Sequence, residues 1–173
     1  MKNNKKGFTL IEILVAVLIM IILVTMAVPM YERAIEKSRV AEVSATLKRI
    51  GDSKLRVMDQ QDIADFSDVS DKGGFCNQMD VEKPSSTDFA YSLYPASFAN
   101  AVCAVRAKGD YQGTTFLYLG ETAGDYCDCA ASPASGSICH EYCNSSTKIF
   151  CGGTHCEDYG MDNYSVGTCS AGD

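Results

Sequence analysis

The chain has 173 residues, with 15 Lys+Arg against 22 Asp+Glu, a formal charge of −7, 46% hydrophobic residues and no tryptophan. An acidic chain without a basic patch argues against nucleic acid as a direct partner. There are two histidines and no nucleophile elbow, metalloprotease helix or phosphate-binding glycine loop, which argues against an enzyme.

The first element is also the most informative. A basic leader, with Lys2, Lys5 and Lys6, runs to Gly7; Phe8, Thr9, Leu10, Ile11 and a lone Glu12 follow, then twelve unbroken apolar residues from Ile13 to Val24. The stretch 8–30 is long enough to cross a bilayer as a helix, since about 20 residues at ~1.5 Å rise cover the hydrocarbon core. The leading lysines place the N-terminus in the cytoplasm, and the bulk of the chain outside. Glu12 is the anomaly. A carboxylate in an apolar span costs roughly 2.5–3.5 kcal/mol at mid-helix, and the helix dipole offsets only part of that near an N-terminus. A cationic partner is therefore expected; the competing account is a charge tolerated near the interface.

The run Lys6-Gly7-Phe8-Thr9-Leu10-Ile11-Glu12, followed by an apolar span at the extreme N-terminus, resembles the type IV pilin and type II secretion pseudopilin family. The resemblance implies cleavage by a prepilin peptidase after Gly7 and N-methylation of the new N-terminal Phe8. It implies that Glu12 pairs with the N-terminal ammonium of a neighbouring copy as a helical filament grows from the bilayer on an inner-membrane assembly platform. The pairing is physically sensible, because two opposite charges that neutralise each other remove most of the burial penalty of both. Pro29 matches a proline found in many pilins; it removes a helix hydrogen bond and permits a kink. Family members often carry a helix-weakening glycine upstream, whereas here no glycine follows Gly7 until Gly51. Loss of leader 1–7 would leave 166 residues and, with three lysines gone, take the side-chain charge from −7 to −10.

From 31 to 58 the pattern turns amphipathic. Val40, Val43, Leu47, Ile50 and Val57 form one stripe, while Glu36 with Arg39 and Lys48 with Asp52 sit at intrahelical pairing distance. A nearly continuous helix over 9–58 is expected, its second half packing on a sheet, with Gly51 a weak point. Segment 59–86 reads as a helix-to-sheet loop with a helical turn near Ile63–Phe66. Its regularly spaced acidic residues lack the spacing of a calcium-binding hand. Segment 87–120 reads as three antiparallel strands, 88–94, 99–107 and 114–119, the second ending at the Lys108-Gly109-Asp110 turn signal. The expected fold is α+β: a long N-terminal helix, membrane-embedded in its first half, on a small antiparallel sheet in a pilin-like roll, with a disulfide-rich C-terminal region.

Segment 121–173 holds most of the nine cysteines: Cys76 and Cys103 lie upstream, then come Cys127, Cys129, Cys139, Cys143, Cys151, Cys156 and Cys169. In an exported domain these indicate an oxidising compartment, and cross-links are expected to substitute for a core the tail cannot supply. Cys103, inside a strand, reads equally as a buried apolar residue or as bridged to Cys76 or the tail. A zinc site through His140, His155 and neighbouring cysteines is the competing reading, although zinc-ribbon spacing fails. No cofactor is expected. Calcium through Asp158, Asp162 and Asn163 is the one exception weighed, against a plain surface turn. Asn144 and Asn163 open glycosylation-type triplets.

The leading functional expectation is a structural subunit of a type IV pilus-like filament: an inner-membrane precursor that ends in an extracellular pilus. The alternative in the same class is a type II secretion pseudopilin in a periplasmic pseudopilus. A different class is a secreted disulfide-rich binding module, released by ordinary signal peptidase after Thr25-Met26-Ala27.

Overall fold

A computed structural model describes residues 7–61, 79–82, 84–93, 101–120, 127, 129–144, 146 and 148–166. The chain divides into two compact units, residues 1–38 and 39–173, and helix α1 (Leu10–Gln61) contributes to both. Over residues 10–31 of the first unit α1 is exposed on all sides. Its large apolar side chains, from Leu10 at 84% to Val15 at 47%, are exposed. The helix passes through Pro29 without interruption.

The second unit is built around an antiparallel meander. Strands β1 (Phe89–Ser92), β2 (Val102–Arg106), β3 (Thr115–Tyr118) and β4 (Ile149–Gly152) lie in the order β1-β2-β3-β4. Register places Tyr91 opposite Ala104, Ala104 opposite Phe116, and Phe116 opposite Cys151. The β2–β3 turn uses Gly109 and Gly113 in the left-handed region, at φ 81° and 85°, and closes with Gly113 N–H donating to Arg106 O at 2.9 Å. The 88–94, 99–107 and 114–119 expectations thus contain β1, β2 and β3; parts of the first two ranges, and the 63–66 turn, lie outside the described residues.

Alternation along each strand gives the sheet two apolar faces. One face, with Phe89, Tyr91, Ala104, Phe116, Tyr118 and Cys151, packs against Val43, Leu47, Ile50, Val57 and Met58 of α1, with Val40 partly buried at the margin. The amphipathic stripe therefore does what its spacing predicts. The Lys48–Asp52 pair does not form, whereas Arg39 approaches Asp88 at 3.9 Å.

The expected α+β architecture, a long helix on a small antiparallel sheet with a cross-linked tail, holds, and the opposite face extends it. Cys103, Leu117, Leu119 and Phe150 pack with Ile138 and Val166, flanked by Tyr142 and Tyr164, into a second core. The C-terminal region therefore supplies both a fourth strand and a covering layer. Every residue of β3 is buried, as a central strand covered on both faces requires. Segment 163–166 returns beside β4: Tyr164 N–H donates to Cys151 O at 2.8 Å. Gly152 makes that approach possible, because a Cβ there would stand 3.0 Å from Tyr164 O and run into Val166.

Gly51 has a role that helix propensity does not show. Helix α1 is unbroken at this position, and the glycine serves packing: Tyr118 of β3 lies directly against it.

Two polar devices fix α1 to the rest of this unit. Lys54, 1% exposed, donates from Nζ to Leu93 O at 2.7 Å and Ala101 O at 3.1 Å, on the two sides of the β1–β2 connection. Arg56 reaches both oxygens of Asp80 at 2.9 and 2.7 Å, and Ser53 Oγ also donates to Asp80 while accepting its backbone N–H. These hydrogen bonds, with the guanidinium charge, hold the Asp80 carboxyl below its ordinary 3.8.

Candidate functional site: the N-terminal segment and the cross-linked tail

Residues 7–9 precede the helix, which begins at Leu10. Thr9 is its N-cap. Thr9 Oγ1 accepts the Glu12 N–H at 3.3 Å, and Glu12 Oε2 accepts the Thr9 N–H in a long 3.5 Å contact. This is the reciprocal capping box of a Thr-x-x-Glu sequence, which satisfies two otherwise orphaned donors of the first turn. The signal for this cap is legible in Thr9-Leu10-Ile11-Glu12, beside the charge anomaly of Glu12.

Gly7, Phe8 and Glu12 are thus gathered at one end of α1, with the Glu12 carboxylate turned back toward the Thr9 amide. A Cβ built on Gly7 meets nothing within 4 Å, so packing within this chain does not require a glycine there. Pro29 lies about 25 Å further along at helical rise. Lacking an N–H, it leaves the Thr25 carbonyl without its usual donor. The only hydroxyls of the span are at Thr9 and Thr25, and Thr25 satisfies its own by donating to Ile22 O at 2.8 Å. Helix α1 is long and apolar enough to cross a membrane, and a continuous exposed apolar surface of this extent marks a membrane or protein contact.

In the tail, Cys127–Cys139, Cys129–Cys143 and Cys151–Cys156 are disulfide-bonded. Cys103 is both fully buried and disulfide-bonded, so the two readings of it hold together. Cys76 and Cys169 lie outside the described residues. The first two bridges interleave and fasten helix α2 (Ile138–Asn144) through Cys139 to Cys127 and through Cys143 to the 3₁₀ turn Cys129–Ala131. A seven-residue helix does not hold itself in water; these bridges do the holding, together with Ser137, whose Oγ accepts the His140 N–H at 3.1 Å.

The bridges remove the zinc reading. Cys139, Cys143, Cys151 and Cys156, the neighbours of His140 and His155, are disulfide sulfurs and offer no thiolate. His155 Nδ1 instead lies 3.3 Å from Asp158 Oδ2, and Asn163 Oδ1 accepts the Gly153 N–H at 3.1 Å. Among the described residues no group of three or more His, Cys, Asp or Glu side chains could hold a metal.

A family model, the prokaryotic N-terminal methylation motif, matches residues 2–28. No curated protein and no solved structure matches the chain. That motif marks structural proteins that assemble into pilus-type filaments after processing by a prepilin peptidase, and with the apolar helix it fits an inner-membrane precursor. The chain therefore carries, in its first helix and the leader before it, the signature of type IV pilins and pseudopilins.

Proposed function

We propose that the chain is a structural subunit of a type IV pilus-like filament, cut after Gly7 and N-methylated on Phe8. The observation that carries this reading is the exposed apolar helix with a lone carboxylate in its first turn. In a bilayer or a filament core that carboxylate is costly unless a cation meets it. The Phe8 ammonium of an adjoining copy is such a cation, and leader cleavage creates it. Among the described residues nothing packs against Gly7, which suits a glycine read by an outside peptidase. The apolar face of 8–30 first holds the precursor in the inner membrane and then forms the core of the assembled filament. The domain from Arg39 onward lies at the filament surface, and its cross-linked tail, suited to mechanical shear, favours a pilus over a secretion pseudopilus.

Glu12 has two jobs that chemistry can separate. Glutamine at the same position still completes a capping box but carries no charge. Glu12→Gln and Glu12→Ala should both insert in the membrane. Both should lower filament yield at least about tenfold, because a buried ammonium left without its counter-ion costs about 3–5 kcal/mol. Wild-type yield from Glu12→Gln would reduce Glu12 to a helix cap and overturn the pairing.

A further inference from the structure

A small cavity of about 170 Å³ opens between α2, β4 and the segment that returns past residue 160. Phe150 and Tyr164 form part of its wall, their rings edge to face with centroids 5.5 Å apart at 87°. Ile149 and Met161 add apolar surface, and Glu141 and Asp162 bring two carboxylates from different elements into the same lining. Among the described residues neither carboxylate has a hydrogen bond or ion pair. Lys148, next in the chain to Ile149, lies over the Tyr142 ring at 3.9 Å. The two negative charges converge on one ring: burial first, then Glu141 and Asp162, push the Tyr164 phenol above its ordinary 10.0.

We propose that this cavity is a binding site for an organic cation, a guanidinium or alkylammonium group, held between the Glu141 and Asp162 carboxylates and the Tyr164 ring. The volume suits one side-chain-sized head group, being well below the roughly 300–1,000 Å³ of drug-sized pockets. Aromatic and aliphatic walls favour a weakly hydrated cation, above all the planar guanidinium, which stacks on rings and takes carboxylates in fork geometry. Calcium fits poorly, because it takes six to eight oxygen ligands, whereas the side chains of this lining supply two carboxylates and one phenol. The occupant is either a free diamine-like solute or an arginine or lysine side chain of an adjoining copy; both present the same head group.

The test is a titration of agmatine into the full-length protein in detergent, following ring proton signals of Tyr164 by NMR. A saturable shift is expected, weakened at least about tenfold in Glu141→Gln/Asp162→Asn, as loss of charge-assisted hydrogen bonds demands. Tyr164→Leu, which keeps both carboxylates and is followed through the Phe150 ring protons instead, should weaken binding by a smaller factor. The same titration on assembled filaments separates the sources: binding there as well identifies a diffusible cation, and binding to the unassembled protein alone identifies a neighbour's side chain. Absence of a saturable shift, equal affinity in the double variant with its fold intact by backbone amide spectra, or stoichiometric displacement of agmatine by calcium would overturn the proposal.

Discussion

The Tyr118 ring lies against the backbone of Gly51, so close that a Cβ on Gly51 would stand 2.6 Å from Tyr118 Cδ1. Contact at that range lets β3 sit directly on α1, and it gives a helix-interior glycine a reason to exist. Gly51→Ala should therefore destabilise the protein. Alanine gains about 1 kcal/mol of helix propensity, but displacing a buried ring costs about 1–3 kcal/mol. Urea unfolding followed by tyrosine signals should show a net loss. Gly51→Ala/Tyr118→Leu should recover part of it, and a stabilised single variant would contradict the packing role.

Lys54 is buried, and its ammonium donates to the Leu93 and Ala101 carbonyls. Lys54→Met keeps much of the side-chain volume and leaves both carbonyls without that donor. A loss of about 2–4 kcal/mol is expected, since each buried unsatisfied group costs about 1–3 kcal/mol. Hydrogen exchange should accelerate first at the ends of the β1–β2 connection. Unchanged stability would mean that water replaces the ammonium without penalty.

Asp80 links stability to acid. Its folded pKa lies below 3.8, chiefly through the hydrogen bonds from Ser53 and Arg56. A depressed carboxylate contributes stability in full above its unfolded value, and the contribution fades as pH falls through the lower folded value. Wild type should therefore exceed Asp80→Asn in stability at neutral pH, with the gap closing below 3.8. A gap that is constant with pH would assign the effect to packing rather than charge.

The interleaved bridges hold α2. Removing one of them with Cys129→Ser/Cys143→Ser reopens a loop with a sequence separation of 14. A bridge over such a loop contributes about 3 kcal/mol in the chain-entropy account. Amide protection should fall in 138–144 while β1–β3, buried against α1, keeps its own. Loss of protection throughout the sheet would show that the tail's second core is indispensable to it.

How far the sequence reached depended on the kind of signal. The apolar run to Val24 and the stripe Val40-Val43-Leu47-Ile50 are periodic over many residues, so α1 was legible nearly to its ends. β2 and β3 were legible through alternation and the Lys108-Gly109-Asp110 turn. β4 was not: Ile149-Phe150-Cys151-Gly152 is four residues among cysteines and glycines, and it becomes a strand because β3 offers an edge and the Cys151–Cys156 bridge ties its end. The packing role of Gly51 was not legible, because propensity is local whereas its neighbour Tyr118 is 67 positions away in the chain. Lys54 gave no sign, since a lysine on an amphipathic helix ordinarily points to water. At the N-terminus, both the charge anomaly of Glu12 and its Thr-x-x-Glu cap were written in adjacent residues.

Intact mass and N-terminal sequencing of the mature protein test the central claim most directly. The account predicts a chain that starts at Phe8, carries one methyl group on its amine and keeps Glu12 four residues further on. A mature chain starting at Val28 would have lost that carboxylate together with the apolar span, and no filament could then be built on their pairing.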